Sequence, residues 1–161
     1  MKFTDHILID AINPKLKATD QQGVIREMVQ SLLDAGGIPK ENYEEIVKAF
    51  IKREELGSTG LGSGFAVPYI KHPSVKQPIS AVAISTEGVD FDSLDNEVVH
   101  LFVMTLSPID NPGSELRVME HLTRRLLKDD TLRESLKQAK TREEIFALFE
   151  EDDNKEAMKK R

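Results

Sequence analysis

Residues 53–69 gather most of the side chains in this chain that are suited to chemistry. Arg53 precedes the run Gly57-Ser58-Thr59-Gly60-Leu61-Gly62-Ser63-Gly64, and Phe65-Ala66-Val67-Pro68-Tyr69 follows it. Glycines let backbone amides approach a ligand closely, because no side chain intervenes. Successive amides in such a turn form a concave anion site. The Ser58 and Thr59 hydroxyls add donors, and the Arg53 guanidinium offers a planar fork matched to phosphate. Arg53, Gly57, Ser58, Thr59, Gly60 and Gly62 are therefore the candidate anion-binding residues. The run lacks the Gly-Lys-Ser/Thr of a Walker loop and does not open a helix as GxGxxG does. A tight turn between a helix and a strand is the other reading of the same residues, and both stay open at this point.

The elements around this segment define a single α/β domain. The 161 residues suffice for one domain with its own core. Thr19-Asp20-Gln21-Gln22, a threonine with a glutamine three residues on, signals a Thr-capped helix start, and Val24, Met28, Leu32 and Ala35 recur at helical spacing until Gly36-Gly37. A second helix is predicted over residues 41–56, with Tyr43, Ile46, Val47, Phe50 and Ile51 as its apolar stripe. Residues 65–69 read as a short strand, which Pro68 ends or confines to an edge. Residues 79–86 alternate Ile79, Ala81 and Ala83 against Ser80, Val82 and Ile84. Residues 87–90 are expected to turn the chain. Residues 98–106 are apolar on both faces, as in a central strand covered on both sides. Helices are predicted over 114–127, with Leu116, Met119, Leu122 and Leu126 facing the core, and over 131–138 and 141–149. The domain is assigned to residues 1–150, and the mostly charged residues 151–161 are expected to form a frayed tail. The predicted architecture is a mixed β-sheet flanked by helices on both faces.

Composition narrows the function classes. The net charge is −6, against a generic nucleic-acid binder, which needs a basic face. Lys71, His72 and Lys76 form one local basic cluster. There is no tryptophan and only two tyrosines, so base-stacking platforms are not expected. The absence of cysteine removes disulfides and thiolate metal sites. Four scattered histidines give no metal-ligand spacing, and neither metal nor cofactor is expected. The start of the chain lacks the pattern of a signal peptide. No apolar run approaches the roughly 18 residues of a membrane span, so membrane insertion is not expected and a cytoplasmic location is.

Residues 53–68, Arg-Glu-Glu-Leu-Gly-Ser-Thr-Gly-Leu-Gly-Ser-Gly-Phe-Ala-Val-Pro, resemble the signature of the type-2 IIA domains of the bacterial phosphotransferase system. These are the fructose, mannitol and nitrogen-regulatory IIA proteins, whose pattern reads R-x-x-x-G-S-T-G-x-G-x-G-x-A-x-P-H. The likeness extends over roughly residues 5–150. It implies the type-2 IIA fold, and a histidine after the proline that takes phosphate from the histidine-containing carrier protein and passes it to a IIB domain or holds it as a signal. This chain has Tyr69 at that position. Tyrosine's phenol, with a pKa of about 10, is a poor nucleophile unaided. Aligning the late helix through Leu116, Met119 and Leu122 places Glu115 at the second family histidine. His72, in Lys71-His72-Pro73, is a candidate substitute acceptor. The resemblance therefore implies a regulatory module that binds a carrier protein, a IIB-like domain or a regulated target without relaying phosphate. Two alternatives stand beside it: a working phosphocarrier that uses His72, and a small anionic-ligand binding domain.

Overall fold

The computed structural model describes residues 2–110 and 114–159, with only the backbone of Ser114, Glu115 and Val118 described. After a short 3-10 turn (Phe3–Asp5) come β1 (Ile7–Asn13), α1 (Gln21–Asp34), a second 3-10 turn (Lys40–Asn42) and α2 (Tyr43–Glu55). Then follow β2 (Gly60–Gly62), β3 (Phe65–Ala66), β4 (Tyr69–Lys71), β5 (Ile79–Val89) and β6 (Val99–Ser107). Three helices close the chain: α3 (Ser114–Lys128), α4 (Asp130–Gln138) and α5 (Arg142–Lys159).

The six strands form one mixed sheet in the order β1-β5-β6-β3-β2, with β4 also paired to β6. β5 and β6 run antiparallel, whereas β1 is parallel to β5 and both β3 and β4 are parallel to β6. β3 and β4 lie one after the other along the same side of β6, at Phe65↔Leu101 and Tyr69↔Thr105. Pro68, between them, has no N–H to donate, but its carbonyl accepts from Thr105 N–H at 2.9 Å. The pairing to β6 therefore survives the proline.

The alternation along β5 sorts the core into two layers. Ile79, Ala81 and Ala83 pack with α1 and α2 residues such as Met28, Leu32, Ile46 and Phe50. Val82 and Ile84 pack on the other face with Met119, Leu122, Leu136, Ile145 and Phe149 of α3, α4 and α5. β6 is buried along most of its length, as its doubly apolar pattern requires.

Two boundaries and one burial differ from the sequence reading. β5 does not stop near Thr86. It runs to Val89 through a register shift that bends it while keeping Val89 opposite Val99. Leu116, expected in the core, is 45% exposed, because it lines a surface cavity instead. The helix expected to end at Phe149 continues to Lys159. Its added turns have little apolar periodicity and are held by polar contacts instead. Asp153 accepts from the Phe3 and Thr4 amides at 3.3 and 2.9 Å, and Asp152 pairs with Arg125 of α3. Residues 151–159 are thus docked rather than frayed.

Candidate functional site

The site begins at the end of α2. Arg53 suits the negative end of a helix dipole, but a buried carboxylate there opposes it. Glu54 nevertheless sits there, 8% exposed, with a specific task. Its carboxylate accepts from the Thr59 amide at 3.1 Å, from the Thr59 hydroxyl, and from Gln21 Nε2 at 3.4 Å. Burial pushes the Glu54 carboxyl up, and the Thr59 hydrogen bonds and the Arg53 charge oppose that rise. Glu54 therefore fastens the glycine-rich loop to the helix that precedes it.

The rest of the loop is tied down in the same way. Gly57 N–H donates to the Glu54 carbonyl at 3.1 Å, and Gly60 N–H to Ser58 Oγ at 2.9 Å. Ser63 N–H donates to Asp95 Oδ2 at 3.1 Å. These bonds correct the expectation of an amide nest open to an anion. The amides of Gly57, Thr59, Gly60 and Ser63 already serve acceptors of the chain itself. The glycines serve geometry. Gly62 has φ +105°, a conformation unfavourable to side chains. A Cβ on Gly60 would stand 2.5 Å from Ser93 Oγ. Gly57, Gly60 and Gly62 do not line the neighbouring cavity, whereas Arg53, Ser58 and Thr59 do.

That cavity has a volume of about 470 Å³. Leu61, Val67 and Tyr69 form one wall, and Leu116, Met119, Glu120, Thr123 and Arg124 of α3 form the other. The three serine and threonine hydroxyls of the wall are committed elsewhere. Ser58 donates to the Phe91 carbonyl (2.7 Å), Thr123 to the Met119 carbonyl (2.8 Å), and Thr59 to Glu54. The donors left for a ligand are the guanidinium groups of Arg53 and Arg124 and the Tyr69 phenol. Arg53 makes one bond, from Nη1 to the Gly57 carbonyl at 2.7 Å. Among the described residues, neither arginine forms an ion pair, including with Glu120 in the same wall.

Strand parity separates Tyr69 from His72. Tyr69 packs on the α3 side of the sheet, while Ile70, the next residue, packs on the α1–α2 side. His72 is two residues beyond Ile70 and shares its side. There it is 5% exposed. Its Nδ1 accepts from the Ser74 amide at 3.1 Å, so Nε2–H is the donor to Glu45 Oε1 at 3.0 Å. The structure therefore does not bring His72 to the cavity, and both its ring nitrogens are engaged. Nor do the other histidines line it. His100 bonds through Nδ1 to the Ser85 carbonyl at 2.9 Å, and His121 pairs with Glu156 at 3.3 Å. The Glu115 side chain lies outside the described residues.

Sequence reasoning passed over Glu54 and Arg124, though each left a signal. An acid in the last turn of a helix opposes the dipole. Arg124 stands eight residues after Leu116 and four after Glu120, the spacing of one helix face.

Residues 6–152 match the family model described as "Phosphoenolpyruvate-dependent sugar phosphotransferase system, EIIA 2". The chain is 30% identical over 154 residues to the fructose-specific EIIABC component of Bacillus subtilis, covering 95% of this chain but only 24% of that protein's length. It superposes on the nitrogen regulatory protein IIA-Ntr of Neisseria meningitidis with a TM-score of 0.80 and 28% identity, over 91% of this chain and 97% of that one. The fold is shared with the mannitol IIA enzyme of Escherichia coli in its complex with phosphorylated IIB, with a TM-score of 0.70 and 23% identity over 88% and 94% of the two chains. A mixed six-stranded sheet between two helical layers, the glycine-rich run ahead of β4, and a match spanning residues 6–152 lead to one conclusion: the chain belongs to the type-2 EIIA family of the phosphotransferase system.

Proposed function

We propose that this chain is a IIA-type regulatory module that docks a phosphotransferase-system partner and carries no phosphoryl group of its own. One observation supports the reading above all: Tyr69, and no histidine, stands in the wall of the cavity that holds Arg53 and Arg124. Acceptance of a phosphoryl group needs a nucleophile that is both basic enough and free near neutral pH. A neutral imidazole meets that need. A phenol with a pKa of about 10 does not unless a base assists it. Tyr69 takes the family acceptor position on the sequence alignment and Glu115 the second histidine position. The partner is a histidine-containing carrier protein, a IIB-like domain or a regulated target, and the module acts in the cytoplasm.

The test is phosphoryl acceptance from radiolabelled phosphoenolpyruvate, enzyme I and the carrier protein. The expected result is no stable label on this chain. Tyr69→His is expected to gain acid-labile phosphate, since Arg53 and Arg124 line the same cavity as this position. Acid-labile label on the unaltered chain, at His72 or elsewhere, overturns the reading.

A further inference from the structure

We infer that Ser74 is an acyl-accepting nucleophile that takes a short acyl chain from a small activated ester, with His72 as its base and Glu45 as the positioning residue that fixes the His72 ring. The inference stands apart from the Tyr69 cavity, since His72 lies on the opposite side of the sheet.

The relay is assembled from two elements far apart in sequence. Glu45 belongs to the first turn of α2, and His72 and Ser74 to the turn that follows β4. Pro73 restricts His72 to an extended backbone, and His72 N–H donates to the Ser107 carbonyl at 2.8 Å. Three further bonds set the ring. Ser74 N–H donates to His72 Nδ1 at 3.1 Å, so Nδ1 carries the lone pair and Nε2 the proton. Nε2–H donates to Glu45 Oε1 at 3.0 Å, and Ser74 Oγ–H donates to Nδ1 at 2.8 Å. A hydroxyl on one ring nitrogen and a carboxylate on the other is the arrangement that activates a serine, whatever the surrounding fold. Closing the turn needs only the Ser74 amide on Nδ1. The carboxylate that reaches Nε2 from α2 goes beyond what a turn requires. The Glu45 carboxyl is held below its ordinary range, chiefly by the hydrogen bond with His72. It is therefore ionised, and it stabilises the imidazolium formed when Nδ1 takes a proton.

The surroundings suit the same role. His72 is 5% exposed, whereas Ser74 is half-buried, so the base is shielded while the hydroxyl is within reach of solvent. Pro73 and Val75, on either side of Ser74 in the chain, line a cavity of about 370 Å³ together with Lys76, Pro108, Ile109 and Asp110. Its apolar side chains suit an acyl group of a few carbons. In the reaction, Ser74 Oγ attacks the carbonyl carbon of the ester, and its proton passes to His72 Nδ1 as the new O–C bond forms. The bond from that carbon to the leaving oxygen then breaks, and the imidazolium returns the proton to the leaving group. The products are an ester on Ser74 and a free alcohol or phenol, with nothing oxidised or reduced. Of the side chains lining the cavity, Lys76 alone can donate to the oxygen of the tetrahedral intermediate. One acyl group per chain is therefore expected, not rapid turnover.

The experiment treats the full chain with p-nitrophenyl acetate or butyrate and follows each acylated position by peptide mass mapping. Ser74 is expected to react about 100-fold faster than any other serine or threonine. That advantage should vanish in urea, where Ser74 persists but the relay is dispersed. His72→Gln is expected to remove it in the folded chain. Because His72 is buried, a thermal melt accompanies this variant. Glu45, with a side chain 64% exposed, supplies a variant that leaves the core untouched. Glu45→Gln is expected to slow Ser74 acylation about tenfold, and Glu45→Asp to restore part of the rate. Acylation of Ser74 no faster than that of other hydroxyls, label confined to lysines, or an equal Ser74 rate in urea overturns the inference. So does an unchanged Ser74 rate in Glu45→Gln.

Discussion

Arg124 and Arg125 are consecutive residues of α3 with opposite surroundings. Arg125 is 13% exposed and bound to Asp152 and, at 2.9 Å, to Glu156, both on α5. Arg124 is exposed beside the Tyr69 cavity and has no carboxylate partner among the described residues. One guanidinium is neutralised by the fold and joins two helices. The other keeps its charge available to whatever enters the cavity. Residue type therefore says little about role. What separates an arginine that holds the structure from one that recognises a ligand is whether the chain supplies its counter-charge.

The largest effect that tests this contrast is on stability. Arg125→Ala leaves Asp152 buried without its cation, and a loss of about 3 kcal/mol in urea unfolding is expected at pH 7.5. Unchanged stability would remove Arg125 from its structural role. A second, smaller effect follows from Asp152 itself. Burial, with the nearby charges of Asp153, Glu156 and Asp129, pushes its carboxyl from 3.8 up to about 6 despite the Arg125 charge. The folded state therefore binds this proton more tightly than the unfolded chain does. Asp152 adds stability as the pH falls from about 6 towards 4, on the order of 2 kcal/mol, and that increment is lost as the pH rises through 6. Asp152→Asn is expected to flatten this part of the stability profile, and an identical profile in the variant would place the titration elsewhere. The smallest effect is expected of Arg124→Ala, which should shift unfolding by no more than about 0.5 kcal/mol. A larger loss would show that Arg124 also holds the structure, and the contrast would fail.

Side-chain periodicity made much of the fold legible before any coordinates. Ile79, Ala81 and Ala83 against Ser80, Val82 and Ile84 separated the two layers of the core, and the doubly apolar β6 marked the centre of the sheet. The start of α1 was legible to within one residue: the cap is Asp20, which accepts from Gly23 N–H at 2.7 Å, and not the expected Thr19. β2 was hidden because Gly60-Leu61-Gly62 has almost no side chains to alternate. The end of α5 was hidden because Asp152, Asp153 and Glu156 bind through charge to residues far away in sequence, which no local pattern reveals.

At the site, the motif located Arg53 and Tyr69, since both follow from a contiguous run of residues. It could not show that the amides of Gly57, Thr59 and Gly60 are already occupied, because spacing alone does not reveal that Glu54 and Ser58 serve as their acceptors. The reach of His72 was misjudged for a similar reason. Three residues along a strand is an odd step, which turns a side chain to the opposite face of the sheet.

The bonds that hold residues 57–63 have a thermodynamic consequence. A loop in which the amides of Gly57, Thr59, Gly60 and Ser63 are bonded before any partner arrives loses little further freedom on association, so the cost of ordering it is met once, during folding. Docking at this face should then resemble the meeting of two preformed surfaces, with little backbone rearrangement on the side of this chain. Its heat-capacity change should reflect contact area alone, without the added signature of a segment folding as it binds.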